Sequence, residues 1–206
     1  MDFKIIDCQQ GGDEWHKARL GKITASVFSK VITKTGKLSA SAEEIVNRAV
    51  AEIIVGEPDE TFQTDSMLRG QSLELEALEY FNFTYGYKFV KCGFIDSGKG
   101  YGVSPDGIDL PVEIGLELKC PEAHTHLSYL ASKALPDKYM QQVQGAMYVT
   151  GFESWVFGSY HPDLPCFSVV VKRDPKIMDA FNEHLPALCK KINDRHLELK
   201  ELIGAQ

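Results

Sequence analysis

Two acidic residues and a lysine within residues 101–121, YGVSPDGIDLPVEIGLELKCP, have the types and spacing of a chemical site. Glu117 and Lys119 are separated by a single residue, so on a β-strand their side chains project from the same face. Asp106 lies in a turn-forming Pro-Asp-Gly sequence, and a hairpin-like return brings it near Glu117. Two carboxylates can hold Mg²⁺ while leaving room for a phosphate, and a neighbouring lysine can orient or deprotonate a water.

The same stretch also has an ordinary structural interpretation. The apolar positions of 112–120 alternate with charged ones, as in a hairpin with one solvent-exposed face. Strand parity alone favours that interpretation, and the position of Asp106 favours a metal site instead. Cys120 is expected to be a small, inward-facing apolar residue.

The surrounding pattern predicts an α/β sandwich with a central mixed β-sheet flanked by helices. We expect one domain over 1–206, with a basic, helical N-terminal segment (1–83), a core (84–173) and a C-terminal helix (175–202). Apolar spacing and turn residues predict the individual elements. The helices are expected at 24–34, 39–56, 69–83, 124–132 and 137–150, and the strands at 87–95, 101–104, 112–120, 153–160 and 166–172.

The overall charge argues against binding to nucleic acid, whereas the distribution of charge along the chain permits it. A formal net charge of −7 argues against a nucleic-acid partner. The segment from Trp15 to Ala42, however, contains lysines and an arginine and no acidic residue, which permits one basic surface on an acidic body. The five cysteines form no CxxC pair, which fits reduced thiols. Without a secretory signal or a long apolar run, the expected location is cytoplasmic.

The acids and the lysine follow the pattern PD, ten residues, ExK. The sequence resembles the phage lambda exonuclease group, the YqaJ-like viral recombinases or alkaline exonucleases of the PD-(D/E)xK nuclease superfamily. Roughly residues 12–185 are similar, and the resemblance implies a restriction-endonuclease-like core. Five ordered blocks carry it: WHKARLGKITAS (15–26), GQSLELEA (70–77), SPDG (104–107), LELKCP (116–121) and YMQQVQGAMYVTG (139–151).

The resemblance implies a role for each matching position. Asp106 and Glu117 would bind Mg²⁺, with Mn²⁺ as a substitute, together with the backbone carbonyl of Leu118. Lys119 would be the catalytic lysine, and Glu74 would help to bind a second metal or its water.

Further roles follow from the same blocks. Tyr139 and Gln142, three apart on one helical face, would contact phosphate or water. A guanidinium fork suits phosphate, and hydroxyls with free N–H groups at the start of the 24–34 helix would form an anion site. The implied 5′-phosphate site consists of Arg19, Thr24, Ser26, Ser104 and Gln142.

Six positions outside these sites are candidates for contact with DNA. Lys34 and Lys37 flank Gly36 in a loop and would touch the backbone. Met67 and Leu68 either form an apolar wedge at the duplex end or simply pack against the helix start. His124 and His126 would contact DNA from a mobile loop, and without a companion Cys/His cluster they do not indicate a zinc pair.

The resemblance therefore implies a Mg²⁺-dependent 5′→3′ exonuclease that digests linear double-stranded DNA and leaves 3′ single-stranded tails. It also implies a homotrimeric ring, a single-strand annealing protein as partner and phage-type recombination in a bacterial host, encoded by a phage or prophage. Two alternatives remain open from the residues alone. One is a structure-specific or single-strand endonuclease, and the other is a non-catalytic protein that binds DNA ends.

Overall fold

The computed structural model describes residues 2–59 and 64–204 and shows a mixed α/β fold. The strands are β1 (Lys4–Ile6), β2 (Ile23–Thr24), β3 (Phe94–Asp96), β4 (Tyr101–Val103), β5 (Gly107–Asp109), β6 (Ile114–Lys119), β7 (Ser154–His161) and β8 (Leu164–Lys172). The helices are α1 (Asp13–Arg19), α2 (Phe28–Val31), α3 (Ala42–Val55), α4 (Asp65–Tyr85), α5 (Ala123–Ser132), α6 (Met140–Thr150) and α7 (Pro175–Gly204). Short 3₁₀ turns cover Ala25–Val27, Leu110–Val112 and Asp137–Tyr139.

The strands form two four-stranded mixed sheets in the orders β1-β3-β4-β2 and β5-β6-β7-β8. In the second sheet β6 runs parallel to β7 and antiparallel to β5. The predicted mixed α/β architecture is confirmed, although its strands are divided between two sheets. The sequence Ser104-Pro105-Asp106 connects β4 in one sheet to β5 in the other. Because Pro105 has no N–H to donate to a neighbouring strand, it favours the end of one strand before the next begins.

Two predicted elements are shorter than their sequence patterns indicate. Over 87–95 regular strand begins only at Phe94, and Val90 forms an isolated bridge with Ile108. Over 24–34 a 3₁₀ turn leads into the four residues of α2, after which Ile32 bridges back to Leu38. Consecutive β-branched residues at 31–33 favour extended backbone, which ends the helix early.

The second sheet is covered by helices on both faces, and this cover positions β6. On one face, Leu116 and Leu118 belong to an apolar cluster with Ala77 and Phe81 of α4. Helices α5 and α6 contact β7, and β7 lies beside β6 in the same sheet. Both faces of the central strands are therefore inside the protein.

Helix α6 packs closely against the N-terminal part of the chain. A Cβ at Gly145 would lie 2.1 Å from an atom of the Phe28 ring, so glycine is what allows this ring to contact the helix directly. Phe28 in turn packs on Phe181 of α7, with 5.0 Å between ring centroids. This contact fixes the helix that carries Gln142.

In the described parts of the chain, no helix combines the length and the apolar character that a membrane span requires.

Candidate active site

The predicted hairpin-like return is present and brings Asp106 alongside β6. The Asp106 N–H donates to the Leu116 carbonyl at 3.1 Å, and the Asp106 Oδ2 accepts a 2.6 Å hydrogen bond from the Leu118 N–H. These two bonds hold the Asp106 carboxylate beside the strand segment that carries Glu117 and Lys119.

Glu117 is buried, with 1% of its surface exposed. The Glu117 Oε1 accepts a 2.6 Å hydrogen bond from Gln142 Nε2 and contacts Lys119 Nζ. Burial, and then the charge of Asp106, raises the pKa of Glu117 to about 7, although Lys119 opposes the shift. The interpretation of this strand as a hairpin with a solvent-exposed charged face is therefore wrong for Glu117.

Lys119 is held between the carboxylates and an aromatic ring. Burial lowers the pKa of Lys119, but the charges of Glu117 and Asp106 outweigh burial and raise that pKa above its ordinary value. The Lys119 Nζ lies 5.5 Å from the centroid of the Tyr139 ring, which stacks on Phe157 at 5.2 Å. The site thus carries a protonated lysine whose side chain is 28% exposed.

Tyr139 and Gln142 occupy the start of α6. Tyr139 ends a 3₁₀ turn and immediately precedes the helix, whereas Gln142 lies in its first turn. The predicted continuous helix from 137 is thus a 3₁₀ turn followed by an α-helix. Both side chains nevertheless reach the strand site, Gln142 through Glu117 and Tyr139 through Lys119.

Glu74 reaches the same region from α4. Its side chain is one-third exposed and pairs with Lys91 at 3.4 Å. Burial, and then the charge of Asp106, raises the pKa of Glu74. Glu74 also lines a cavity of about 510 Å³ together with Leu118, Lys119 and Tyr139.

The donor set fits a hard divalent cation. Asp106 and Glu117 supply carboxylate oxygens, and the pKa of Glu117 is raised by its burial and by the nearby charge of Asp106, both of which a bound cation would offset. Mg²⁺ prefers such oxygen ligands and keeps several waters. Within residues 2–59 and 64–204 no three His, Cys, Asp or Glu side chains converge on one point. The structure brings Asp106 and Glu117 to the same strand segment, and the backbone carbonyl of Leu118 stays a predicted third ligand.

A second polar site surrounds Arg19 at the end of α1. The Arg19 guanidinium donates to Ser104 Oγ at 3.0 Å and to Thr24 Oγ1 at 3.4 Å. The Thr24 hydroxyl lies 3.1 Å from Ser26 Oγ. The structure therefore brings together four of the five residues predicted to bind a 5′-phosphate, whereas the fifth, Gln142, bonds to Glu117.

The hydroxyls in this site do not precede a long helix. Thr24 and Ser26 lie at a 3₁₀ turn that continues into the four-residue α2. The helix predicted over 24–34 is therefore shorter than expected, and the groups that converge in the structure are the guanidinium and the hydroxyls. The surrounding cavity of about 300 Å³ is also lined by Arg48 and Glu52.

The Arg19 guanidinium is held in a partly apolar environment. Its Cζ lies 4.0 Å from the centroid of the Trp15 ring, and Trp15 Nε1 donates to Ser104 Oγ at 2.8 Å. Burial, opposed by Glu52, lowers the pKa of Arg19 to about 10. Trp15 therefore supports Arg19 through its ring and through their shared partner Ser104.

The two polar sites are joined by the segment Ser104–Asp106. Two residues of extended chain span at most about 7 Å, so the Arg19 site and the carboxylate site are close neighbours. Gln10 fixes this segment because its Nε2 donates to the Pro105 carbonyl at 2.9 Å and to the Cys92 carbonyl at 2.7 Å. Sequence reasoning missed Gln10, because no local pattern distinguishes a glutamine that bonds to a backbone 95 residues away.

The basic N-terminal segment is partly neutralised by acids from elsewhere in the chain. Lys22 pairs with Asp96 at 2.6 Å, Lys30 with Glu44 at 3.7 Å and Lys34 with Asp137 at 2.5 Å. Lys37 is exposed. The predicted basic surface is therefore smaller than the sequence indicates.

The predicted apolar wedge falls in the first turn of α4. Leu68 is 50% exposed, so simple packing does not describe it. The side chain of Met67 lies outside the described part of the structure.

His126 does not contact DNA from a loop. It lies in α5 and is 0% exposed. Its ring nitrogens lie 2.7 Å from Ser159 Oγ and 2.9 Å from the Pro165 carbonyl. The predicted DNA contact is wrong for His126, because its side chain lies in the interior, where the helix predicted at 124–132 packs on β7 and β8. His124, on the same helix, is exposed.

Replacing His126 by alanine is expected to lower the free energy of unfolding by about 1–3 kcal/mol, because two buried hydrogen bonds lose a partner. His124→Ala is the matched control and should change that free energy by less than about 0.5 kcal/mol. Urea unfolding of both variants measures the difference. Equal stability of the two variants would contradict the role of His126 as a buried anchor of α5.

Known proteins are similar to this chain in sequence. The family model described as the YqaJ-like viral recombinase domain matches residues 14–153. A protein called ExoD from Escherichia coli (strain K12) is 32% identical over 77 residues, which are 36% of this chain and 88% of that protein.

Solved structures extend the likeness over nearly the whole chain. The alkaline exonuclease LHK-Exo from Laribacter hongkongensis is 28% identical, with a TM-score of 0.82 over 94% of this chain and 99% of that one. A phage-related exonuclease from Haemophilus somnus, 17% identical, shares the fold with a TM-score of 0.69 over 86% of this chain and 96% of that one. The predicted nuclease fold is confirmed, and the chain belongs to the family of YqaJ-like viral recombinase domains.

Proposed function

We propose that this protein is a Mg²⁺-dependent 5′→3′ exonuclease that digests linear double-stranded DNA and leaves 3′ single-stranded tails. One observation carries the proposal. A site of two carboxylates and a lysine is joined by Ser104–Asp106 to a cavity in which Arg19 and hydroxyl groups converge. Such a pair of sites can hold a terminal phosphate next to a bond that is to be hydrolysed.

Asp106, Glu117 and the backbone carbonyl of Leu118 would hold the cation, with Glu74 available to a second metal or its water. When bound, Mg²⁺, or Mn²⁺ in its place, would lower the pKa of a coordinated water and neutralise charge developing on phosphorus. The Asp106 carboxylate is oriented for this by its bond from the Leu118 N–H.

The other residues of the site orient substrate and water. Lys119 is protonated beside its carboxylates, so its ammonium can donate to a phosphate oxygen or orient the attacking water. Gln142 bonds to Glu117 and fixes the orientation of that carboxylate. Tyr139 places its ring against Lys119 and limits the movement of the lysine.

The Arg19 site supports the 5′→3′ polarity. A terminal phosphate monoester carries nearly two negative charges near pH 7, more than a diester within the strand. A guanidinium that already bonds to Ser104 and Thr24 offers charged and neutral donors to such a group. LHK-Exo, the structural relative described above, has also been crystallised with dAMP, a nucleoside monophosphate.

The family suggests the setting in which the activity is used. We infer that the chain acts as one exonuclease domain in a homotrimeric ring and works with a single-strand annealing protein. The corresponding location is the cytoplasm of a bacterial cell. The gene would belong to a phage or prophage of that cell.

A digestion of linear duplexes tests the proposal. The duplexes carry a label at either the 5′ or the 3′ end, with or without a 5′-phosphate, and are incubated with Mg²⁺ or with EDTA. We expect digestion only with Mg²⁺, release of the 5′ label first, and faster digestion of 5′-phosphorylated ends. Covalently closed circles are the control, and their cleavage at a comparable rate would show an endonuclease instead.

A further inference from the structure

A second lysine lines the cavity of the candidate active site. Lys138 lines this cavity together with Glu74, Lys119 and Tyr139. The Lys138 Nζ lies 4.9 Å from the centroid of the Tyr139 ring and 5.7 Å from that of Tyr129. Because Lys119 lies 5.5 Å from the Tyr139 centroid as well, one aromatic ring holds two lysine head groups at the same cavity.

The charge of Lys138 is available to a ligand. Lys138 is exposed, and it takes part in none of the ion pairs found between the described residues. The neighbouring Tyr129 and, to a smaller extent, Tyr139 raise the pKa of Lys138, so the ammonium stays protonated. An ammonium has three N–H donors, so contact with two tyrosine side chains leaves at least one donor for a ligand.

The adjacent carboxylate is occupied by another lysine. Asp137, the acid next to Lys138 in the sequence, pairs through its Oδ2 with Lys34 Nζ at 2.5 Å, so it does not form an ion pair with Lys138. Lys34 comes from the turn between α2 and α3, and the pair ties that turn to the wall of the cavity. Without Lys34, the Asp137 carboxylate would lie uncompensated beside Lys138 and would repel an approaching phosphate.

We propose that Lys138 binds a phosphate of the DNA strand that enters the active-site cavity, and that Lys34 supports this contact by neutralising Asp137. The proposal rests on the proposed function, because it names a substrate contact of the same site. It assigns Lys34 an indirect role in place of a direct contact with the DNA backbone.

The contact of Lys138 is tested by DNA binding in EDTA, where no digestion occurs. Fluorescence anisotropy of a 5′-phosphorylated duplex, measured at several salt concentrations, gives the slope of log K against log[salt]. Each lost phosphate contact should reduce that slope by about 0.9. We expect this reduction for Lys138→Ala, a slope close to that of the parent for Lys138→Arg, and no change for Lys190→Ala, an exposed lysine of α7.

The role of Lys34 is tested with its acidic partner. Lys34→Ala should weaken binding, Asp137→Asn alone should not, and the double variant Lys34→Ala/Asp137→Asn should bind as the parent does. A double variant as weak as Lys34→Ala would overturn the indirect role and would indicate that Lys34 touches DNA itself.

Digestion assays separate the failure of this inference from the failure of the proposed function. If the parent digests linear DNA but Lys138→Ala keeps the full salt slope and an unchanged KM, the phosphate contact is overturned and the exonuclease proposal stands. If the parent does not digest DNA under any of the conditions above, the proposed function fails, and with it the inference. If the exonuclease proposal and the Lys138 contact are both correct, KM rises for Lys138→Ala while kcat changes little.

Discussion

Lys119→Ala is expected to lower the rate of DNA digestion by about 10²–10⁴-fold, the usual contribution of a positioned acid–base or charge-stabilising group. Lys119 is the cation in contact with the buried Glu117 carboxylate, and its head group lines the cavity that the DNA would enter. Its loss should act on the chemical step more than on DNA binding. Single-turnover digestion with saturating enzyme measures the chemical step directly.

The stability of this variant requires its own control. Removing Lys119 leaves the buried Glu117 without its cation, and Glu117 is then expected to retain a proton. Asp106→Asn is the second variant, because an amide oxygen can still accept from the Leu118 N–H while the carboxylate is lost. If both variants fold, bind duplex DNA and digest it at the parent rate, the site is assigned to the wrong residues.

Arg19→Ala is expected to abolish the preference for 5′-phosphorylated ends. A hydrogen bond to a charged group contributes about 1.5–3 kcal/mol, so digestion of 5′-phosphorylated duplexes should slow by roughly 10–150-fold. Digestion of duplexes with a 5′-hydroxyl should change little, because the charged group that Arg19 would bind is absent. The ratio of the two rates, measured for parent and variant, is the readout.

Arg48→Ala is the matched control for Arg19. Arg48 lines the same cavity but pairs with Glu52 and Asp59, at 3.6 Å and 3.2 Å, so its charge is already compensated. We expect Arg48→Ala to keep the preference for phosphorylated ends. Arg19→Lys should lose much of it, since an ammonium cannot replace the guanidinium fork. If Arg19→Ala slowed the digestion of 5′-phosphorylated and 5′-hydroxyl duplexes equally, Arg19 would support the fold rather than bind a terminal phosphate.

The chemistry of the carboxylate site could be predicted from sequence because it depends on local regularities. Alternation along a strand places Glu117 and Lys119 on one face whatever the rest of the fold does. A proline and a glycine around Asp106 predict a turn, and the structure shows Asp106 beside that strand. The order of the motif blocks then indicates the family, which the match over residues 14–153 confirms.

The alternation of apolar and charged residues along a strand, however, does not indicate whether a face of that strand is covered by a helix. The same alternation describes an exposed hairpin and a strand between helices, and only the packing of helices around the second sheet makes Glu117 a buried acid with a raised pKa. His126 shows the same limit. Its position after the motif strand suggested a contact with DNA, whereas two hydrogen bonds in the interior make its side chain part of the core.

The amino-acid sequence by itself determined which side chains of β6 share a face and which family the chain resembles. Only the tertiary structure decided what surrounds those side chains. It places Arg19 against Ser104, 85 residues away, and Lys34 against Asp137, 103 residues away. Contacts between such distant segments depend on how whole elements pack, and local spacing contains no information about that packing. For this reason the carboxylates could be predicted from their pattern, whereas the neighbours that set their charge, their exposure and their access to a ligand could not.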